Sequence, residues 1–137
     1  MTRTDARELI MKTFYQMDLR NDFSKLMGMK CTDTVNKSGQ EEYCNQLIDF
    51  VIEHRQDIDG KIAKYTVGWQ IDRMPKTDLA ILRLAACEIM YMCENVPVAV
   101  SINEAVDLAK KYGTENSPSF VNAILGKIEQ DIRSNEQ

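Results

Sequence analysis

The chain has 137 residues, 44% of them hydrophobic, which suffices for one domain whose core needs no metal or disulfide. Its formal net charge of −4 argues against binding of duplex nucleic acid by bulk attraction. No stretch approaches the ~20 apolar residues of a membrane span, and the start, MTRTDARELI, lacks the apolar run of a secretory signal. We therefore expect a cytoplasmic protein.

Charge is distributed unevenly along the chain. Residues 1–30 contain six Lys/Arg against four Asp/Glu, whereas residues 31–101 contain seven against eleven. The amino-terminal end is therefore the candidate anion-binding end.

The cysteines and the single histidine do not suggest a metal site. Cys31, Cys44, Cys87 and Cys93 are spaced by 13, 43 and 6 positions, without a C-x-x-C pair. We expect buried free thiols rather than zinc ligands or structural disulfides. Because His54 lies among charged residues, no histidine-based metal cluster is expected.

The first half of the chain predicts two helices separated by a loop. From Thr4 to about Asn21, apolar residues recur at three- and four-residue spacing, and Thr2 or Thr4 can cap this helix. Residues 28–40, GMKCTDTVNKSGQ, have no periodicity and predict a loop. Residues 41–65 predict a long helix in which Gly60 is a weak position.

The segment DLAILRLAACEIMYMC, residues 78–93, predicts the central helix of the molecule. It is apolar on nearly every side, so helices should pack on several of its faces. A short element, VGWQIDRM, precedes it and ends at Pro75. The run VPVAVSI is too short and isolated to form a sheet. We therefore predict an all-α fold, a compact bundle of about seven helices.

Two further helix starts are predicted near the carboxyl end. Ser101 and Glu104 fit the S-x-x-E capping box, and Gly113 fits a left-handed residue that ends this helix. Ser117 and Pro118 fit the cap and first position of the last helix, where an inward apolar stripe begins at Phe120.

The sequence contains no local signature of an enzyme active site. It has no Gly-rich phosphate loop, no G-x-S-x-G motif and no Cys/His pair positioned by a local signature. Neither catalysis nor a cofactor is therefore expected.

The loop KKYGTENSP is the best candidate for binding an anion. Lys111, Asn116 and Ser117 meet the amides of a helix start there, and such amides favour phosphate. If the first helix packs beside it, Arg3, Arg7 and Lys12 extend the surface. Single-stranded RNA fits this surface, because unstacked bases can rest on Tyr15 or Phe120 while Asn116 reads a base edge. The alternative is an ordinary corner between two helices, with Phe120 in the core.

The charged residues of the central helix have different expected roles. Asp78, Arg83 and Glu88 are spaced by five residues, so they do not share a helix face or pair with one another. We expect Arg83 to reach a carboxylate on another helix. Asp78 and Glu88 are candidates for contact with a partner protein, although an acid in the first helical turn is also favoured by the helix dipole alone.

Several of these segments together resemble the NusB family of bacterial transcription antitermination factors. The resemblance rests on Trp69 and Arg73 in W-x-x-x-R, on DLAILRLAACEIMY and on VPVAVSINEAVDLAKKYGTENSPSFVNAIL. It is strong over residues 69–125, weaker but collinear in ARELIMKTFYQMD, and limited to helical character in residues 22–65. The chain departs from the family's F-V-N-G at Ala123, and it has two amino-terminal arginines where the family often has a dense cluster.

The resemblance implies one all-α domain over residues 1–137, with helical subdomains at about 1–65 and 66–137, and a non-catalytic role. Such proteins bind the boxA element of ribosomal RNA leader transcripts jointly with NusE, a ribosomal protein, and help RNA polymerase and other Nus factors to pass terminators. The positions that match on the RNA side are Arg3, Arg7, Tyr15, Asn116, Ser117 and Phe120. Asp78 falls where the family meets NusE.

Two rival interpretations follow from the same resemblance. The fold also occurs as an appended domain of ribosomal RNA methyltransferases, but we expect no cofactor-binding domain within 137 residues. A homodimer that hides its RNA surface until partners arrive is the other alternative, and the sequence does not decide between monomer and dimer.

Overall fold

The computed structural model describes residues 1–31, 39–66 and 70–135, without the side chains of residues 30 and 31. Over these ranges the helices are α1 (Arg3–Leu19), α2 (Lys25–Cys31), α3 (Glu41–Tyr65), α4 (Lys76–Tyr91), α5 (Val98–Tyr112) and α6 (Ser117–Asn135), with a 3₁₀ turn at Ile71–Arg73 before α4. The described ranges contain no strand, and the predicted all-α fold is confirmed. None of their helices combines the length and the apolar character needed to cross a membrane.

Helix α4 is the centre of the bundle. Every residue from Asp78 to Ile89 is buried, and α1, α3, α5 and α6 all pack against this helix. An apolar helix surrounded in this way removes side chains from water on all of its faces, which stabilises it more than helix propensity does. The central position predicted for this segment is confirmed.

Helix α1 is held at its start by a capping box. The Thr2 hydroxyl accepts a hydrogen bond from the Asp5 amide at 3.0 Å, and the Asp5 carboxylate accepts one from the Thr2 amide at 3.3 Å. One face of α1 is fully buried through Ala6, Ile10, Phe14 and Met17. The predicted cap at Thr2 and the predicted stripe are therefore both confirmed.

The second and third helices differ in detail from the sequence prediction. The first residues of the predicted loop belong to α2, and residues 32–38 of that loop lie outside the described residues. Helix α3 has the predicted bounds, but its irregularity lies at His54, with φ −120° and ψ 19°, and not at Gly60. The ring of His54 stacks on Tyr91 of α4 at a centroid distance of 4.5 Å, so aromatic packing accompanies the kink.

The predicted start of α5 is wrong, whereas its predicted end at Tyr112 is confirmed and only the conformation predicted for Gly113 is wrong. The helix begins at Val98, directly after Pro97, so Ser101 lies inside its first turns with a buried side chain that does not cap. Proline fixes φ and lacks an amide hydrogen, and a helix can start after it without a side-chain cap. Gly113 is extended (φ −90°, ψ −166°) rather than left-handed. It is a glycine because a Cβ there would lie 2.5 Å from the Ser117 side chain.

The thiols are partly as predicted. Cys44 and Cys87 are free and buried, whereas Cys93 is free and exposed in the turn after α4. Within the described residues no group of His, Cys, Asp and Glu side chains is arranged to hold a metal ion. One continuous cluster of buried side chains includes residues of α1, α3, α4, α5 and α6. The division into subdomains near residue 65 stays a prediction.

Candidate nucleic-acid interface

Three segments meet at one end of the bundle: the middle of α1, the start of α4 and the turn between α5 and α6. Lys12 of α1 lies with its Nζ 5.3 Å from the centre of the Tyr112 ring, at the end of α5. Lys76 at the start of α4 lies with its Nζ 3.4 Å from Asp18 Oδ2, one turn beyond Tyr15 on α1. Lys12, Tyr15, the start of α4 and the α5–α6 turn are thereby brought to the same end.

The α5–α6 turn is fixed by Ser117. Its Oγ accepts a hydrogen bond from the Thr114 amide at 2.9 Å and lies 3.2 Å from Thr114 Oγ1. Ser117 is the first residue of α6, one position earlier than predicted, and its side chain is buried. The carbonyl of Asn116 accepts from the Phe120 amide at 3.2 Å. These hydrogen bonds hold the turn in place, with the Asn116 side chain exposed and the Phe120 ring half-buried.

A pocket of about 190 Å³ opens beside this turn. Its lining brings together Asp78 at the start of α4 and Asn116, Ser117 and Phe120 at the start of α6. Asp78 is only 5% exposed, and among the described residues no donor reaches its Oδ1. A buried carboxylate oxygen is stable only when a donor reaches it, and in this open pocket the donor to Asp78 can be water or a bound group.

The two predicted lysines converge on a carboxylate that the sequence did not single out. Lys111 Nζ lies 3.1 and 3.0 Å from the two carboxylate oxygens of Glu8, and Lys12 Nζ lies 3.5 Å from Glu8 Oε1. The Tyr112 hydroxyl also donates to Glu8. That hydrogen bond, with the two ammonium groups, holds the pKa of the Glu8 carboxyl below its usual value although partial burial opposes this.

Arg7 and Glu88 are not surface residues. Arg7 Nε lies 3.0 Å from Glu88 Oε1 and Arg7 Nη2 lies 2.9 Å from Glu88 Oε2, with side chains only 4% and 1% exposed. Burial opposes the charge on Arg7, but the hydrogen bonds and charge of Glu88 outweigh it and raise the pKa of Arg7. The expectation that Arg7 extends an RNA surface and that Glu88 faces a partner is not supported, because each is the buried partner of the other.

Arg3 lies at the far end of α1, apart from the α5–α6 turn. Its guanidinium sits 4.0 Å from the centre of the Tyr43 ring, and its Nε donates to Gln40 Oε1 at 2.6 Å. The residue is exposed overall. Tyr15 is partly buried against the core. The structure therefore separates Arg3, and the buried Arg7, from the other predicted RNA contacts. Those contacts lie around the second half of α1, the end of α5 and the start of α6.

Arg83 has the structural role that was predicted for it. Its Nε and Nη2 donate to the two carboxylate oxygens of Asp59 on α3 at 2.8 and 2.9 Å. Its Nη1 lies 3.6 Å from Asp18 of α1. A bidentate pair of this kind ties α4 to α3 and α1 inside the bundle.

The chain is similar to known proteins in both sequence and structure. The NusB family model matches residues 4–130. The transcription antitermination protein NusB of Thermoanaerobacter sp. is 44% identical over 132 residues, covering 96% of this chain and 92% of that protein. The structure of T. maritima NusB superposes with a TM-score of 0.86 at 30% identity, covering 96% of this chain and 92% of the other.

A chain in the crystal structure of the antitermination factors NusB and NusE in complex with dsRNA is also similar. It superposes with a TM-score of 0.78 at 28% identity, and the match covers 94% of this chain and 96% of that one. Over the described ranges the chain is an all-α helical bundle. This chain belongs to the NusB family.

Proposed function

We propose that the protein is a non-catalytic RNA-binding antitermination factor that binds boxA-type single-stranded RNA of ribosomal RNA leader transcripts together with NusE. In this proposal the RNA surface consists of Lys12, Tyr15, Lys111, Asn116 and Phe120. Ser117 supports it by fixing the turn. The complex then supports read-through of terminators by RNA polymerase with the other Nus factors.

The observation that carries the proposal is the gathering of these side chains at one end of the bundle. Exposed ammonium groups of Lys12 and Lys111 suit phosphates, and the half-buried ring of Phe120 offers a face on which a base can stack. The exposed amide of Asn116 has a donor and an acceptor for a base edge. These groups offer charge, stacking and edge recognition at one site, and such a combination suits an unpaired strand.

NusE docking is assigned to the pocket around Asp78. A donor from the partner would satisfy the Oδ1 atom of Asp78, for which the described residues supply none. The same pocket is lined by Asn116 and Phe120, so a bound partner would lie next to the proposed RNA surface. This neighbourhood supports joint binding of RNA and protein, because each ligand would contact the other as well as the chain.

A single strand is favoured over a duplex for two reasons. The net charge of −4 disfavours a mode that relies on many phosphate contacts. Stacking on Tyr15 or Phe120 also requires bases that are already unpaired. Since one similar structure contains dsRNA, a duplex of the same sequence is the informative competitor.

The test is a titration of labelled boxA-type RNA with the protein, in the presence and absence of NusE. Phe120→Leu keeps apolar volume at the pocket but removes the flat ring, and Lys111→Gln removes one ammonium group. Lys127→Gln is the matched control, because it removes one exposed charge from α6 at ten positions beyond the turn. The first two variants should each weaken binding about tenfold, by ~1.4 kcal/mol, in keeping with the loss of one stacked base or one phosphate contact.

Equal RNA affinity for wild type and both variants would remove the site assignment. Tighter binding of the duplex than of the single strand would overturn the proposed ligand. Transcription through a terminator downstream of boxA, with NusE and the other Nus factors present, then tests read-through: wild type should raise it and Phe120→Leu should not.

Self-association is a separate prediction. Leu19, Leu26 and Met29 expose apolar side chains near the junction of α1 and α2, with Leu26 77% exposed. Sedimentation velocity across protein concentration distinguishes a constitutive monomer from a homodimer. If the protein forms a dimer and RNA dissociates it, that result would support the alternative in which the dimer hides the RNA surface.

A further inference from the structure

Glu8 occupies the position at which an external anion would be expected. Its carboxylate lies within 3.1 Å of the Lys111 ammonium group through both oxygens and 3.5 Å from that of Lys12. The Tyr112 hydroxyl donates to the same carboxylate, and both ammonium groups lie 5.3 Å from the centre of the Tyr112 ring. Two cations and one hydroxyl donor thus converge on a single acidic side chain.

This cluster is at the surface, so it can open without unfolding. The side chains of Lys12 and Lys111 are 56% and 60% exposed, and that of Glu8 is 21% exposed. Ion pairs with this exposure contribute little to stability, and salt screens them. The ammonium groups can therefore exchange a carboxylate for a phosphate at small energetic cost.

The two helices do not depend on Glu8 alone for their contact. Glu104 of α5 accepts a hydrogen bond from the Thr4 hydroxyl at 2.8 Å and lies 3.4 Å from Arg7 Nη1. These contacts hold α1 against α5 one to two turns nearer the start of α1. The charge of Glu8 is therefore not required to keep the helices together.

We propose that Glu8 sets the affinity of the protein for RNA by competing with phosphate for Lys12, Lys111 and Tyr112. This inference rests on the proposed function. In the unbound protein the carboxylate neutralises part of the positive charge of the surface. When RNA binds, a backbone phosphate takes the place of the carboxylate at the ammonium groups, and Glu8 turns toward solvent.

The competition has a defined signature in the dependence of binding on salt. The two lysines can neutralise two phosphates, but Glu8 offsets one of their charges. Removal of the carboxylate charge should therefore steepen the slope of log K against log salt by roughly 0.7, the amount for one further phosphate on a single strand. The RNA affinity should rise by roughly three- to tenfold at about 0.1 M salt, where charges at contact distance are only partly screened.

The test uses Glu8→Gln, which keeps the size of the side chain and one acceptor for Tyr112. Glu53→Gln on α3 is the control, because it removes the same charge from a side chain that is 71% exposed and pairs only weakly with His54, at 3.9 Å. BoxA-type RNA is titrated with wild type and both variants over a range of salt concentrations. Thermal unfolding of each variant is measured alongside.

Tighter binding with a steeper salt slope for Glu8→Gln, and not for Glu53→Gln, supports the competition. Unchanged or weaker binding by Glu8→Gln, while wild type binds RNA, overturns it, and weaker binding assigns Glu8 to orienting the lysines. If wild type itself does not bind RNA, the proposed function fails, and this inference fails with it.

A double substitution keeps the test decisive if Glu8→Gln is less stable. Lys111→Gln should weaken RNA binding more in the Glu8→Gln background than in wild type, since the ammonium group is then fully available to phosphate. Equal losses in the two backgrounds would show that Glu8 and the RNA do not compete for Lys111.

Discussion

Arg7 of α1 and Glu88 of α4 lie 81 positions apart in sequence and form a buried, two-point ion pair, with distances of 3.0 and 2.9 Å. Glu104 of α5 adds a second carboxylate 3.4 Å from Arg7. One guanidinium thus joins three helices at the centre of the bundle. This geometry makes Arg7 a structural residue, in spite of the resemblance that placed it on the RNA side.

Loss of this pair should lower stability strongly. Arg7→Met removes the cation and leaves Glu88 buried without its partner, which should reduce the free energy of unfolding by about 3–5 kcal/mol. Glu88→Gln should cost less, since Glu104 remains near Arg7. Urea unfolding monitored by circular dichroism measures both. Lys12→Gln, which breaks only an exposed pair, should change stability by less than ~1 kcal/mol. A similarly small loss for Arg7→Met would show that the pair is not a structural centre.

The sequence predicted elements well where one local pattern decides them. The stripe of α1, the bounds of α3 and the burial of α4 follow from apolar spacing alone. The predicted start of α5 is wrong because Ser101 and Glu104 match a capping box, whereas the helix begins at Val98, directly after Pro97 and three residues before Ser101, without a side-chain cap. Instead of capping, Glu104 accepts a hydrogen bond from Thr4, 100 positions away.

Side-chain pairs between distant helices could not be predicted in the same way. Local spacing gives neighbours three or four residues apart, whereas Glu8 and Lys111 lie 103 positions apart and meet only because α1 packs on α5. The resemblance identified Asp78, Asn116 and Phe120 as functional positions, and the structure brings them to one pocket. The resemblance did not point to Glu8 or Tyr112, because their proposed role in RNA binding depends on the lysines that surround them.

Gly113 should be intolerant of a side chain although it is not left-handed. A Cβ there would lie 2.5 Å from the Cβ of Ser117 and 2.8 Å from the carbonyl oxygen of Ala109, so Gly113→Ala must shift the α5–α6 turn. We expect a loss of about 1–3 kcal/mol in the free energy of unfolding. Gly126→Ala is the matched control, because its added Cβ would meet no atom within 4 Å beyond its chain neighbours and its own helix backbone. Replacing this helical glycine should raise the free energy of unfolding by about 1 kcal/mol.

The RNA surface should respond to Gly113→Ala in the same direction as stability. Since Asn116 and Phe120 follow this turn, a shifted turn should also weaken RNA binding, while Gly126→Ala leaves it unchanged. Denaturant unfolding and RNA titration on the two alanine variants measure both effects. If Gly113→Ala matched wild type in both measurements, the close approach of Gly113 to Ser117 would not constrain the turn.

Asp78→Asn should separate stability from partner binding. The substitution removes a buried negative charge whose Oδ1 lacks a donor among the described residues, but it also removes an acid from the first turn of α4. These effects oppose each other, so the free energy of unfolding should change by less than ~1 kcal/mol.

Affinity of Asp78→Asn for NusE should fall at least about tenfold, because the acceptor at residue 78 loses its negative charge. Calorimetric titration with NusE measures this, with the exposed Asp72→Asn as the control. Unchanged NusE affinity would place the docking surface elsewhere.

Acid should weaken the contact between α3 and α6 through Asp131. Lys61 Nζ lies 2.9 Å and Lys64 Nζ 3.4 Å from Asp131 Oδ2. Hydrogen bonds from Lys61 and then Tyr65 lower the pKa of Asp131 from 3.8 to about 2. Because the folded protein favours the ionised form, Asp131 stabilises the fold above its ordinary pKa of 3.8, and this contribution disappears as the pH falls toward 2.

Wild type should therefore be more stable than Asp131→Asn at neutral pH, and the difference should vanish over that acidic range. Denaturant unfolding of both proteins from neutral pH to about pH 2 checks this, with the exposed Asp107→Asn as the charge-matched control. A difference between wild type and Asp131→Asn that persists at the acidic end would mean that packing, rather than the charge of Asp131, joins the two helices.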